Sequence, residues 1–289
     1  MRSESPAEET PATPAEAVKT GRAGRNLPAS IAVGVGLVSM VVLSLFLVKE
    51  LFIAVVVVAL AIGVYELARA FSTARIVIPV LPVVTGGTFM LVGSYYGSME
   101  TAAVAMALSV VGIMVWRLSD GVDGFVRDAS AGIFTLSYLY LMGTFVLLML
   151  KEDDGPWRIV AFIAATIASD VGGYIAGVLF GKHPMAPTIS PKKSWEGFSG
   201  SLIFGIATGV ATVTLALDGD WWVGIVLGIA GVVFATLGDL SESLIKRDLG
   251  IKDMGDLLPG HGGLMDRLDS LIAVAPVAWL ILFTLVPAT

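Results

Sequence analysis

The chain has 289 residues, no cysteine and a formal net charge of −6, with 56% hydrophobic against 15% charged residues and a mean hydropathy of +0.86. This composition excludes an ordinary soluble domain, and the absence of cysteine excludes disulfides and thiol chemistry. The acidic excess falls largely in the N-terminal tail and short loops, so it does not exclude anionic substrates; the charge of each loop decides that.

Residues 1–26, rich in Pro, Ala, Glu and Thr, predict a disordered tail. About nine apolar runs follow, near 29–48, 51–71, 76–96, 101–117, 129–150, 158–180, 197–217, 221–238 and 270–286. Each is close to the roughly 20 residues that a helix needs to cross hydrocarbon. The first lacks a small-residue cleavage site and is expected to remain as a span rather than leave as a signal peptide. The third carries Pro79, Pro82 and Gly86–Gly87 and is expected to be kinked or broken. Basic residues divide unevenly between alternate loops. One set holds Lys19, Arg22, Arg25, Arg69, Arg75, Arg117, Arg127, Lys182, Lys192, Lys193, Lys246, Arg247, Lys252 and Arg267; the other holds only Lys49, Lys151 and Arg158. The positive-inside bias puts the first set in the cytoplasm.

Asp170 lies about midway along the sixth run. A carboxylate at that depth is costly unless it meets a partner, water or an ion, which makes it a candidate site residue. Gly173, Gly177 and Gly181 recur at four-residue spacing and read first as close helix packing. The next loop, Ser190-Pro191-Lys192-Lys193-Ser194-Trp195-Glu196-Gly197, joins two cations and a hydroxyl to an interfacial Trp, which is more than a generic basic loop requires.

Beyond the eighth run, GDLSESLIKRDLG predicts a short amphipathic helix ending near Gly250, with Asp239, Glu242, Ser243 and Lys246 on one face. Asp239 reads either as its N-cap, with Glu242 as capping-box partner, or as a metal ligand at the polar mouth of a span. The turn Pro259-Gly260-His261-Gly262-Gly263 opens the last helix, and its glycines and free N–H groups suit a phosphate. Asp266 and Asp269, three residues apart, project to one side of that helix. They read as hard-oxygen donors for a divalent cation, or as acids that merely favour the positive helix end. With Lys246, Arg247, Lys252, Asp253 and Arg267, this segment mixes cations, carboxylates and bare backbone in the way a phosphate–metal substrate requires.

Taken together, Ser243, Lys246-Arg247, Lys252-Asp253, Gly255, Leu258-Pro259, His261-Gly262-Gly263, Asp266-Arg267 and Asp269 resemble, without departure, the signature of the phosphatidate cytidylyltransferase (CDP-diacylglycerol synthase) family. Asp170-x-Gly-Gly-Tyr, Phe180-Gly181-Lys182-His183 and the string from Ser190 to Gly197 match as well. The resemblance covers roughly residues 160–289, and the earlier spans are similar only in being apolar. It implies that CTP and phosphatidic acid give CDP-diacylglycerol and pyrophosphate with Mg²⁺. A monovalent cation beside the Mg²⁺ and a homodimer are left open, and no nucleic-acid partner is expected.

The roles that the resemblance implies put Asp239 and Asp266 on the metal, with Asp269 and Asp170 behind them. Ser243, Lys246, Arg247, Lys252, Asp253, Arg267 and the His261-Gly262-Gly263 turn go to the nucleotide and pyrophosphate. Lys192, Lys193, Ser194, Trp195 and Glu196 go to the lipid phosphate or to CTP. Two other readings compete. A CDP-alcohol phosphatidyltransferase is disfavoured because Asp120-Gly-Val-Asp-Gly-Phe-Val-Arg127 breaks that family's spacing; a transporter would use Asp170 as an ion site. The expected protein is thus an all-α, polytopic membrane enzyme of a bacterial inner membrane. Its N-terminal helices span 27–157, and a catalytic region at 158–289, with its motif loop at 239–269, surrounds a cytoplasm-facing cavity.

Overall fold

Long hydrocarbon segments can satisfy their backbone within a bilayer by closing every hydrogen bond inside a helix. The computed structural model, which describes residues 27–255 and 262–287, has that form. The elements in chain order are α1 (Leu27–Leu47), α2 (Lys49–Ser72), α3 (Val80–Tyr96), α4 (Met99–Leu118), α5 (Phe125–Lys151), α6 (Gly155–Phe180), β1 (Pro184–Ala186), β2 (Ser190–Ser194), α7 (Trp195–Ala216), α8 (Trp221–Asp248) and α9 (Met265–Leu285). Among the described residues, seven helices are long and apolar enough to cross a membrane, α2 and α4 to α9; α3 and the Gly34–Leu47 part of α1 are shorter apolar helices. The nine expected runs therefore all lie on helices. The tail and His261 lie outside the described residues.

Three local features differ from the sequence reading. Pro79 precedes α3 and Pro82 stands in its first turn, where a backbone N–H has no intrahelical partner to lose, so α3 runs unbroken to Tyr96. Its Gly86–Gly87 pair serves packing instead, since a Cβ on Gly87 would overlap the Tyr140 ring. The amphipathic stretch after residue 238 is no separate helix but the last turns of α8, which carries its polar face out of the apolar region without a breaker; Asp239 is a mid-helix residue and not an N-cap. Finally, residues 184–194 form a small antiparallel hairpin, with Pro184 opposite Ser194 and Ala186 opposite Ser190.

The four C-terminal helices pack most extensively on one another in chain order. Helices α6 and α7 approach to backbone contact: a Cβ on Gly200 would lie 2.5 Å from Gly172 O, and Ser201 Oγ donates to Ser169 O at 2.8 Å. Of the Gly173, Gly177 and Gly181 repeat, the first two stand close to Gly197 of α7, as the close-packing reading expects, while Gly181 caps the end of α6. Helix α9 also packs against α5 and α2, joining the two halves of the chain. Within α5 the segment Leu136–Leu141 is π-helical and buries Leu136, Tyr138, Leu139 and Tyr140.

Hydrogen bonds gather the loops at two ends of the bundle. At one end Lys49 donates to Glu152 O, Lys151 to Gly97 O, and Arg158 to Leu282 O and Val286 O. At the other, Val77 N donates to Asp128 Oδ1, Lys193 pairs with Asp239, and the start of α9 meets Glu66 of α2. These are the same two sets of loops that the basic residues separate.

Candidate active site

A cavity of about 690 Å³ opens at the basic end of the bundle. Asp170 of α6, Asp239 of α8 and Asp266 and Asp269 of α9 line it, facing Lys192, Lys193, Ser194 and Arg267. One flank changes character: Leu37 and Val38 of α1, with Ile167, Phe198 and Leu271, make that wall hydrocarbon. Asp170, mid-span in sequence, is exposed to this cavity, which solves the problem of its depth.

The four carboxylates differ in how much of their acceptor capacity is spent. An ionised carboxylate offers about four lone-pair sites. Asp239 accepts from Ser270 Oγ at 2.7 Å and pairs through its other oxygen with Lys193 Nζ, which leaves about half of them. Ser270 N donates to Asp269 Oδ1 at 2.7 Å, so Ser270 links Asp239 to Asp269. Asp266 is more heavily engaged, accepting from Lys246 Nζ at 2.8 Å, Gly263 N at 2.8 Å and Met254 N at 3.2 Å. Among donors from the described residues, that leaves one site.

Two expectations change at this point. Lys246 does not line the cavity; it bridges Glu242 Oε2 at 2.6 Å and Asp266, and only 17% of its side chain is exposed. The N–H groups at the start of α9 are not open to a phosphate either. Gly263 N is taken by Asp266, while Leu264 N and Met265 N donate to the two oxygens of Glu66 at 3.0 and 2.7 Å. Anions do occupy this helix end, as its dipole favours, but they belong to the protein. Gly262 adopts φ +79°, the left-handed conformation for which glycine is suited.

The hairpin is held in the same way. Glu196 accepts from Lys182 N and His183 N at 3.1 and 3.2 Å and contacts His183 Nδ1 at 2.6 Å. Ser194 caps α7 by accepting from Gly197 N at 3.1 Å. Arg247 directs Nε to Ile189 O at 3.5 Å, joining α8 to the hairpin. Trp195, Ser243, Lys252 and Asp253 lie off the cavity lining. Glu66 is the residue that sequence reasoning missed. It is 4% exposed, and the signal was present: an acid inside an apolar run, the same signal that singled out Asp170.

Among the described residues, no three acidic or histidine side chains converge as a metal-binding group. The donor set nevertheless suits Mg²⁺, which is commonly held by one or two carboxylates with water and substrate phosphates completing its shell. Asp170, which accepts no hydrogen bond from the described residues, and Asp239, with about half of its capacity left, keep the most room for a cation.

A family model described as "Cytidylyltransferase family" matches residues 29–285, well beyond the 160–289 of the motif resemblance. Three relatives called phosphatidate cytidylyltransferase illustrate the similarity. That of Mycobacterium leprae is 43% identical over 93% of this chain and 91% of its own length. That of Mycobacterium bovis is 42% identical over 94% and 92%, and that of Haemophilus influenzae is 36% identical over 58% and 50%.

Proposed function

Because the chain belongs to the cytidylyltransferase family, we propose that it is a phosphatidate cytidylyltransferase, converting CTP and phosphatidic acid to CDP-diacylglycerol and pyrophosphate. The observation that carries this reading is the single cavity in which cations and carboxylates from α6, the hairpin, α8 and α9 meet beside a hydrocarbon flank. A lipid phosphate and a nucleotide triphosphate both need charge neutralisation. Only the lipid needs the flank.

The phosphate oxygen of phosphatidic acid attacks the α-phosphorus of CTP. A P–O bond forms, the bond between the α-phosphorus and its bridging oxygen breaks, and pyrophosphate leaves with that electron pair. The nucleophile is already anionic, so no serine, cysteine or histidine nucleophile is required. The work of the protein is to bring two repelling polyanions together and to neutralise the departing charge. Lys192, Lys193 and Arg267 do this from the cavity wall, where exclusion of water strengthens each interaction. Asp239 and Asp266, with Asp269 and Asp170 nearby, would hold Mg²⁺, which when bound supplies charge neutralisation at the transferring phosphoryl group. Lys246 supports Asp266 from behind, and Arg247 and Glu196 fix α8 and the hairpin around the substrates. Lys193 pairs with Asp239 and lines the cavity beside it, so it can neutralise a substrate phosphate next to the carboxylate that would hold the metal.

The protein is integral to the membrane. We place it in a bacterial inner membrane with the cavity on the cytoplasmic side, as the basic loops and the supply of CTP require. The test is transfer of label from α-³²P-CTP to lipid by purified protein in micelles containing phosphatidic acid, with and without Mg²⁺. Metal-dependent appearance of organic-soluble label is the expected result. Label that stays in the aqueous phase under both conditions overturns the reading and favours a transporter.

A further inference from the structure

The described chain before residue 256 and after residue 261 meets at one point. Met254 N and Gly263 N both donate to Asp266, so the chain on either side of residues 256–261 is drawn onto a single carboxylate. A second carboxylate reaches the same point from the other half of the protein. Glu66 lies on α2, 198 residues before Leu264, and its two oxygens accept Leu264 N and Met265 N.

Glycine at two flanking positions makes room for it. A Cβ on Gly263 would lie 2.8 Å from Glu66 Oε2, and one on Gly255 would overlap Glu66 Oε1. The side chain is thus seated between Gly255 and Gly263, buried, with both oxygens used. Among the described residues, the partners of Glu66 are backbone N–H groups at the positive end of α9.

We infer that Glu66 is a positioning residue for the catalytic cavity: it fixes the start of α9, and through it the direction in which Asp266 and Asp269 face. The inference rests on the proposed cytidylyltransferase reading. It assigns a role in the reaction to the N-terminal half, which carries none of the signature motifs. Replacing the carboxylate by an amide removes the charge and leaves one of the two N–H groups facing an NH2 instead of an acceptor. The start of α9 then relaxes, and carboxylates that must meet a cation to within a fraction of an ångström lose their aim.

The test compares wild type with Glu66→Gln and Glu66→Asp on two readouts. Turnover per folded molecule is expected to fall about 10- to 100-fold in kcat for Glu66→Gln, with KM for CTP changed much less. Amide hydrogen exchange in a peptide covering Leu264 and Met265 is expected to accelerate, which needs no activity to be observed. The seat itself is read by Gly255→Ala: its overlap should lower kcat, and Glu66→Asp, whose carboxylate is one methylene shorter, should restore part of that loss in the double variant. Wild-type kcat and wild-type exchange in Glu66→Gln overturn the inference; so does lower thermal stability with unchanged kcat, which is the mark of a purely structural contact. Should Glu66→Gln aggregate, Glu66→Asp decides by the same two measurements. If wild type itself transfers no label from CTP, the functional reading fails, while the exchange result still tests whether Glu66 holds α9.

Discussion

Two charged clusters occupy opposite ends of the bundle, and they differ in what is left unspent. At the end away from the cavity, Arg158 is 2% exposed and fully used: Nε pairs with Asp154 at 2.6 Å, Nη1 donates to Leu282 O at 2.7 Å and Nη2 to Val286 O at 3.2 Å. It ties the start of α6 to the last turn of α9. At the cavity end, Asp239 keeps about half of its acceptor capacity, and Asp170 faces open space. A charge whose partners are all internal is a staple. One with capacity left over, facing a cavity, is available for a substrate.

The sharpest way to break this comparison is Asp239→Asn. It keeps size and removes charge, and turnover should fall on the order of 10³-fold with thermal stability in detergent nearly unchanged. Asp266→Asn should lose a similar factor but also melt earlier, because its carboxylate holds Gly263 N, Met254 N and Lys246. Wild-type turnover in both at saturating Mg²⁺ would sink the metal assignment. For the staple the expectation is reversed. Arg158→Met should cost about 3–5 kcal/mol of stability by leaving Asp154 and the α9 carbonyls without their donor, while turnover per folded molecule stays close to wild type. A selective loss of kcat there would erase the distinction between the two ends.

A smaller effect separates Asp170 from Asp218. Asp170→Asn should lower kcat about 10-fold or more, whereas Asp218→Asn, in an outer loop, should not. Asparagine is the right replacement at Asp218 because its φ of +47° is a conformation that Asn tolerates and Ala does not. Equal activities would remove Asp170 from the site. Least disruptive of all are single cysteines at Thr188, in the hairpin, and Asp153, both exposed. In this cysteine-free chain they should react with an impermeant maleimide from opposite faces of the membrane, and reaction of both from one face would overturn the assignment of the two ends.

Much of this was legible in the chain itself. The spans were, because hydrocarbon thickness imposes a length that apolar runs must match; Asp170 stood out as an acid at a depth that a bilayer penalises, and Asp239, Asp266 and Asp269 through the cations and glycines that surround them. Boundaries set by polar faces were harder to read. Helix α8 continues ten residues past its apolar run because a cavity, and not lipid, receives Asp239, while Lys246 pairs with the buried Glu242. The hairpin has prolines and lysines where a strand normally alternates, so period-two patterning was silent. The π-helical turn at Leu136–Leu141 has no local code. Glu66 carried the signal of an acid inside an apolar run, but its partners are backbone groups 198 residues away, and these carry no sequence signal of their own. The same blindness affected the start of the last helix, read as open to phosphate when neighbouring carboxylates had already taken the N–H groups of Gly263, Leu264 and Met265.

The hydrocarbon flank formed by Leu37, Val38, Ile167, Phe198 and Leu271 has a kinetic meaning. A diacyl substrate entering there keeps its tails among neighbouring lipids, so it arrives by lateral diffusion in two dimensions and never as a dissolved solute. The quantity that saturates the enzyme is then the mole fraction of phosphatidic acid in the surface, and diluting it with inert lipid or detergent should slow turnover at constant bulk concentration. CTP, arriving from water, should obey bulk concentration alone.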